Sequence, residues 1–551
     1  MKKTFLAFIL ALSLIVSANA QTTVKLDSPP RRAVENVTAA QLKDYLYFIA
    51  SDEMEGRDTP SRGLDTTAKF IGMNLSRWGF KPAGDDNTFY QKIALRRDSV
   101  DPAATIIEIA NEKFVYGDDF IRASGNNSET AVLPVVYAGD GWLIKSKNLN
   151  PYQGIDVKGK LIAVYGEGAI TSPQNLVPLP AGVTPDDLKG ERGTDWADSL
   201  IYARQNGAAG VIVLPSKFLQ TNWATVRQRF GRSRLSVEKF APPVPSGGAA
   251  PSLFFASPKL AAALFKNEAG NPLDGTAKSS FELNADKKVN FSIASKTEIL
   301  KTQNVVAIWE GSDPILKNEM VAVGAHYDHV GMNPNAPGED KIWNGADDDG
   351  SGTTAILAIA EALAKSPVRP KRSILFVWHA GEEKGLWGSE YFTRFPTVDL
   401  SKVIAQLNID MIGRSKKPGD VNPKNKELST EREIYVIGSK MMSSKLGEVV
   451  DAMNNSFLKL SYNFRYDDPK DPNRFFFRSD HFNYAQKNIP IAFWFDGVHE
   501  DYHGAGDSPD KIDYNKMEAV TRTIFLTMWE LADLKTRPAI DKQLPPELTK
   551  R

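Results

Sequence analysis

SILFVWHAGEE, from Ser373 to Glu383, reads as an apolar strand that runs straight into a histidine and a pair of glutamates. An unbroken apolar run of this kind fits a strand covered on both faces, as inside a parallel sheet. Three other stretches repeat the design. MVAVG, from Met320, runs into Ala325-His326-Tyr327-Asp328; VIAQLNI, from Val403, runs into Asp410; IAFWF, from Ile491, runs into a loop holding His499, Tyr502 and His503. Helical patterns alternate with these strands. Ile356, Ile359, Ala360 and Leu363 form one apolar face, and Met517, Val520, Ile524, Met528 and Leu531 form another between about Lys516 and Leu534. The alternation predicts a layered α/β domain with a largely parallel central sheet, in which ligands collect at the carboxyl ends of the strands.

A fifth stretch adds acid to those ends. Asn344 to Gly352 reads NGADDDGSG and opens the helix carrying Ile356. Three consecutive aspartates raise one another's pKa, and a helix N-terminus offsets only roughly 0.3–1 kcal/mol per charge. A divalent cation offsets far more. The chain has no cysteine, so thiolate sites, disulfides and a cysteine nucleophile are excluded, and a metal must be held by His and carboxylates. That donor set suits zinc ahead of manganese or cobalt. Two histidines and three acids exceed what one catalytic ion generally uses, and suffice for two ions ~3.5–4 Å apart if one Asp bridges. Of Glu382 and Glu383, one carboxylate can bind metal while its neighbour takes a proton from water.

The rest of the 551 residues frames this centre. Lys+Arg and Asp+Glu both number 67, with 42% hydrophobic and 24% charged residues, an ordinary globular composition with no phosphate-neutralising surplus for nucleic acid. Met1 to Ala20 carries two lysines, an apolar core too short to span a bilayer comfortably, and Ala18-Asn19-Ala20 as a cleavage site. It is read as a signal peptide (1–20), so the protein is expected to be exported, periplasmic or secreted, without a membrane anchor after removal. Helices are expected at Ala39–Ile49 and from Asp65 to Trp78, within an N-terminal helical part of the main domain (21–127). Residues 128–258 have a different texture, of short β runs broken by glycine, with scattered acids and no His; they are read as a structural or docking insert. The catalytic domain is placed at 259–540 and a C-terminal tail at 541–551.

AHYDHVG, NGADDDGSG, HAGEEKGLWGSEYF, NIDMIGR and DYHGAGDSPD resemble the five ligand motifs of the co-catalytic zinc aminopeptidases, metallopeptidase family twenty-eight, in order and over about 180 residues. YAGDG, IDVKGK and ARQNGAAGVIVL resemble the protease-associated domain often inserted there. The resemblance implies a three-layer αβα zinc-exopeptidase fold with a mixed, largely parallel sheet and a smaller β-rich insert. It implies two Zn²⁺ per chain: His326 and Asp410 on one, Glu383 and His503 on the other, Asp348 bridging. Glu382 becomes the general base acting on a metal-bridging hydroxide, Tyr502 the donor to the tetrahedral oxyanion, and Asp348-Asp349 a cis peptide. Asp328, two residues past His326, is expected to accept that imidazole's second N–H. His329, His379, His481 and His499 receive no ligand position and are expected packed or hydrogen-bonded behind the ligands. Of Phe475, Phe476 and Phe477, one is expected to line a pocket and two the core. The family commonly has Asn beside the bridging Asp, whereas Asp347 and Asp349 flank it here.

The expected activity is hydrolysis of N-terminal residues from peptides. The alternative within enzymes is a glutamate-carboxypeptidase type, which reads an acidic substrate tail with arginines such as Arg474 and Arg478. A glutaminyl cyclase relative would need only one ion, and an inactive binding protein would have lost ligands that this sequence retains.

Overall fold

A computed structural model describes residues 28–124, 128–166, 178–240 and 251–550, so the expected signal peptide lies outside the described residues. The chain divides into two compact units, one of them Ala94–Leu300 and the other the described residues on either side.

In the flanking unit the sheet includes, besides shorter pairings at its edge, β1 (Ser295–Trp309, its residues from Lys301 belonging here), β2 (Met320–His326), β3 (Ser373–His379), β4 (Val403–Ile409), β5 (Glu433–Ile437), β6 (Ser461–Asn463) and β7 (Ile491–Phe495). Their order is β1-β3-β2-β4-β7-β5-β6. β3, β2, β4 and β7 are parallel, and β1 and β5 flank them antiparallel. All four apolar runs are therefore strands of one parallel core, and their carboxyl ends share an edge. The register sets His326 beside His379.

The strands are apolar throughout because both faces are covered. Val321, Val323, Ile374, Phe376, Trp378 and Leu407 point one way, against Leu46 of α1 (Ala39–Ile49), Ile71 of α2 (Arg62–Arg77), Ile356 of α3 (Gly352–Lys365), Val450 of α5 (Ser444–Ser456) and Ile524 of α6 (Tyr514–Asp533). Ala322, Leu375, Val377 and Val403 point the other way, against Phe392 of α4 (Trp387–Arg394), Phe476 and Phe482. Each large side chain so buried contributes roughly 1.5–3 kcal/mol. The result is a three-layer αβα sandwich.

Helix ends follow their caps. α1 opens on a capping box between Thr38 and Gln41, at the expected residue. α2 starts at Arg62, three residues before the expected Asp65, because the Ser61 hydroxyl accepts the Leu64 N–H and captures the first turn. The C-terminal tail packs onto this unit: Leu548 is buried, and Asp541 accepts the Ser444 N–H.

Unit Ala94–Leu300 has its own nine-stranded sheet. Glu129–Tyr137, Leu161–Val164, Gly210–Val213 and Ser252–Ala256 are mutually parallel at its centre. Its limits are wider than the expected insert 128–258. Lys288–Ile293 pairs with both Ile106–Ile109 and Glu129–Tyr137, which draws the two flanks into the same sheet.

Candidate metal centre

At the shared edge the four strand ends deliver their polar residues to one place. His326 closes β2. Beyond β3, Gly381 at φ +72° turns the chain so that Glu382 and Glu383 follow at once. Asp410 follows β4 directly, and the loop after β7 returns Tyr502 and His503, the latter at φ +51°.

The side chains form two overlapping clusters. Ligand atoms of His326, Asp348 and Asp410 lie within 4.8 Å of one another, as do those of His329, Asp348, Glu383 and His503. In the first, His326 Nε2 is 3.2 Å from Asp348 Oδ1 and 3.6 Å from Asp410 Oδ1. In the second, His503 Nε2 is 3.1 Å from Asp348 Oδ2 and 2.9 Å from Glu383 Oε2. Asp348 thus offers one oxygen to each side. Glu382 stands apart from both sets, its Oε2 at 4.0 Å from His326 Nε2.

The three aspartates are separated by their contacts. Asp348-Asp349 is a cis peptide. Asp349 Oδ1 accepts the N–H of Gly352 at the start of α3 and that of Met411, and its Oδ2 accepts the N–H of His326. Asp347 Oδ1 accepts the Gly413 N–H, and its Oδ2 faces His499 Nε2 at 3.4 Å. The Asp507 carboxylate accepts the N–H groups of both Asp347 and Asp348. Only the middle carboxylate is left to face both clusters.

Other expected residues divide. The carbonyl of Asp328 lies 3.1 Å from His326 Nδ1, while its carboxylate is 3.6 Å away and accepts the Glu382 N–H instead. Asp328 thereby touches both the His326 ring and the Glu382 backbone. Asp410 Oδ2 accepts the Ser479 hydroxyl. His379 points away from the clusters, to Tyr484 and Asp480, and His481 stacks on Phe493. Phe475 lines the adjoining cavity, while Phe476 and Phe477 are core. Sequence reasoning passed over Arg57, which is fully buried and ties together the carbonyls of Ile49, Tyr327, Asn344 and Gly345 behind the acidic loop. Nothing in the local pattern of its polar loop marks it. His329, expected to pack behind the ligands, instead joins a cluster; its place three residues past His326 is the one signal of this in the sequence.

The electrostatics call for positive charge. Burial alone lowers the pKa of His326, but Asp410, Asp328 and Asp348 overcome it and hold the imidazole well above its ordinary range. Burial is likewise overcome at His503, where Asp348 and Glu383 push the pKa up to about 10. Burial, reinforced by Glu383, Asp410 and Asp480, holds Glu382 well above the usual carboxylate range. Asp348 Oδ2, Glu383 Oε1 and His503 Nε2 are buried and accept or donate no hydrogen bond. Orphaned oxygens and an imidazole nitrogen on the Glu383 side, beside a second cluster of His326, Asp348 and Asp410 and with no thiolate, are a donor set that fits zinc.

Beside the clusters is a cavity of about 220 Å³, walled by Met411, Phe475, Phe493, Phe495 and Val498, with Tyr502 and Arg478 also lining it. Arg478 Nη2 donates to the Tyr502 hydroxyl at 3.2 Å. Arg474 instead lies over the Phe477 ring.

Residues 304–528 match the sequence profile of Peptidase family M28. Leucine aminopeptidase 2 of Arthroderma otae is 26% identical over 298 residues, covering 49% of this chain and 54% of that protein. Leupeptin-inactivating enzyme 1 of Streptomyces exfoliatus is 31% identical over 204 residues, covering 33% of this chain and 43% of its own. The chain thus spans about half the length of the curated relatives it matches. A solved aminopeptidase from Aneurinibacillus sp. strain AM-1 aligns with a TM-score of 0.47 and 14% identity, over 94% of this chain and 98% of that one.

Proposed function

We propose, from the match of residues 304–528 to peptidase family M28, that the chain is an exported di-zinc aminopeptidase. One observation carries the proposal: Asp348 faces two donor clusters at once, with Glu382 free beside them. His326 and Asp410 would hold one ion, Glu383 and His503 the other, and Asp348 both. When bound, the ions supply Lewis-acid polarisation of the scissile carbonyl and lower the pKa of the attacking water.

The chain's own groups do the rest. The Glu382 carboxylate, on a residue whose backbone N–H donates to Asp328, removes a proton from water as the new C–O bond forms. It returns that proton to the amide nitrogen as the C–N bond breaks. The Tyr502 hydroxyl accepts from Arg478 and is left to donate to the developing oxyanion. The apolar wall from Met411 to Val498 suits a bulky uncharged first residue, and the surrounding carboxylates favour a substrate ammonium. One arginine at the cavity, with Arg474 turned onto Phe477, is a poor receptor for an acidic tail. The insert is read as a protease-associated domain from its motifs. Export is read from Met1–Ala20; among the described residues no helix is long and apolar enough to cross a membrane.

The test is a side-by-side assay of zinc-loaded and chelator-stripped protein. Leucyl and phenylalanyl p-nitroanilides should be cleaved only by the loaded form, and their N-acetylated counterparts should resist. Release of a C-terminal glutamate, with the p-nitroanilides untouched, would replace this reading with the carboxypeptidase one.

A further inference from the structure

His329 is fully buried, on the loop just after β2. Its N–H donates to the Arg57 carbonyl, and its ring packs under Gly345. A Cβ at Gly345 would lie 2.4 Å from His329 Cγ, so glycine at φ +60° is what lets the turn close over the imidazole. The ring is thereby fixed with Nδ1 at 3.0 Å from Glu383 Oε1 and 3.7 Å from Asp348 Oδ2. Neither ring nitrogen makes a hydrogen bond, although 3.0 Å is hydrogen-bonding distance. His503 Nε2 shows the same signature, close to two carboxylates and aligned with neither. Such groups are aimed at a common point between them and not at each other.

The remaining unassigned histidines differ. His481 also lacks partners but is faced by the rings of Phe476 and Phe493, and His499 Nε2 meets the single carboxylate of Asp347. His379 has the Tyr484 hydroxyl. Among the described residues, His329 is the one of these four that joins a group of potential ligand atoms mutually within 4.8 Å.

We propose that His329 Nδ1 is a direct ligand, the fourth protein donor to the ion held by Asp348, Glu383 and His503. This rests on the di-metal reading above and deepens it, because the two positions become unequal. Four protein donors would hold their ion more tightly than the three of His326, Asp348 and Asp410 hold theirs, and would leave it less open to water. The Glu383 ion is then the tightly held one, and the His326 ion the exchangeable one next to Glu382.

The experiment uses the full chain loaded with Co²⁺. Its proton NMR spectrum should show three strongly shifted, solvent-exchangeable imidazole N–H signals, from His326, His329 and His503; two would overturn the proposal. In parallel, stepwise zinc affinities are measured by chelator competition on wild type, His329→Asn and His329→Gln. Wild type should keep one ion under conditions that strip the other. The variants should lose the tighter step by about 100-fold or more, beyond the roughly 10–100-fold cost of losing an outer hydrogen-bond partner. Unchanged stepwise affinity in a folded variant would refute the ligand role alone. A wild-type chain that binds fewer than two ions would instead bring down the di-metal reading, and this inference with it.

Discussion

Each unit is built around four mutually parallel strands, yet their ends do different things. In Ala94–Leu300 the strand ends cap helices and turns. Ser216, three residues past Val213, accepts the Leu219 N–H; Ser257, next to Ala256, accepts the Leu260 N–H; Asp140 accepts the Trp142 N–H. In the other unit the corresponding ends carry His326, Glu382, Glu383 and Asp410. The acidic loop shows how both duties coexist. Asp349 caps α3, as Ser257 caps its own helix, and Asp348 beside it is left free to face the clusters. A parallel sheet edge therefore supplies position, and what it positions depends on which side chains the local caps have already engaged.

The sharpest test of that contrast is Glu382→Gln. It should lower kcat by roughly 10²–10⁴-fold while elemental analysis finds the metal content unchanged; full turnover would remove Glu382 from the chemistry. Next comes Asp349→Ala. It strips acceptors from the buried N–H groups of His326, Gly352 and Met411, at about 1–3 kcal/mol for each donor left unpaired. Urea unfolding should show a loss of about 3 kcal/mol or more, and metal retention should fall with it. A loss no larger than that of an ordinary cap would put Asp349 on a par with Ser257.

A smaller effect concerns a carboxylate outside the centre. Burial raises the pKa of Asp467 to about 6, against the Gly438 N–H it accepts. Because the folded value exceeds the unfolded one, the native state binds the extra proton between pH ~4 and ~6. The stabilisation is complete below that window and is lost as pH rises through it. Asp467→Asn should therefore gain on wild type by about 2 kcal/mol between pH 4 and 7.5, read as the difference between their unfolding curves; parallel curves would exclude the shift. The smallest effect is expected in the second unit. Ser257→Ala should cost about 1 kcal/mol in thermal unfolding and leave peptide hydrolysis unaltered. If it abolished hydrolysis, strand ends of the second unit would have to be counted into the reaction.

Much of the fold was legible because its signals are local. Continuous apolar runs marked β2, β3, β4 and β7, and α1 began at its expected residue because Thr38 and Gln41 form a capping box within one turn. α2 starts ahead of its expected residue, since a single serine cap carries less pattern than an apolar face. The limits of the second unit were hidden in another way: Lys288–Ile293 joins strands more than a hundred residues earlier in the chain.

By itself the sequence determined the donor chemistry: no thiolate, six histidines confined to His326–His503, and acids set at the ends of buried strands. It also determined the alternation of elements that makes those ends meet. Only the tertiary structure decided which aspartate of three is free, that Asp328 reaches Glu382, that His379 turns away and that His329 turns in. Those outcomes depend on left-handed backbone at Gly345, Met411 and His503 and on partners as distant in the chain as Asp507 and Arg57. Periodicity reports burial within a segment. The direction of a loop side chain is set by contacts that exist only once the segments have packed.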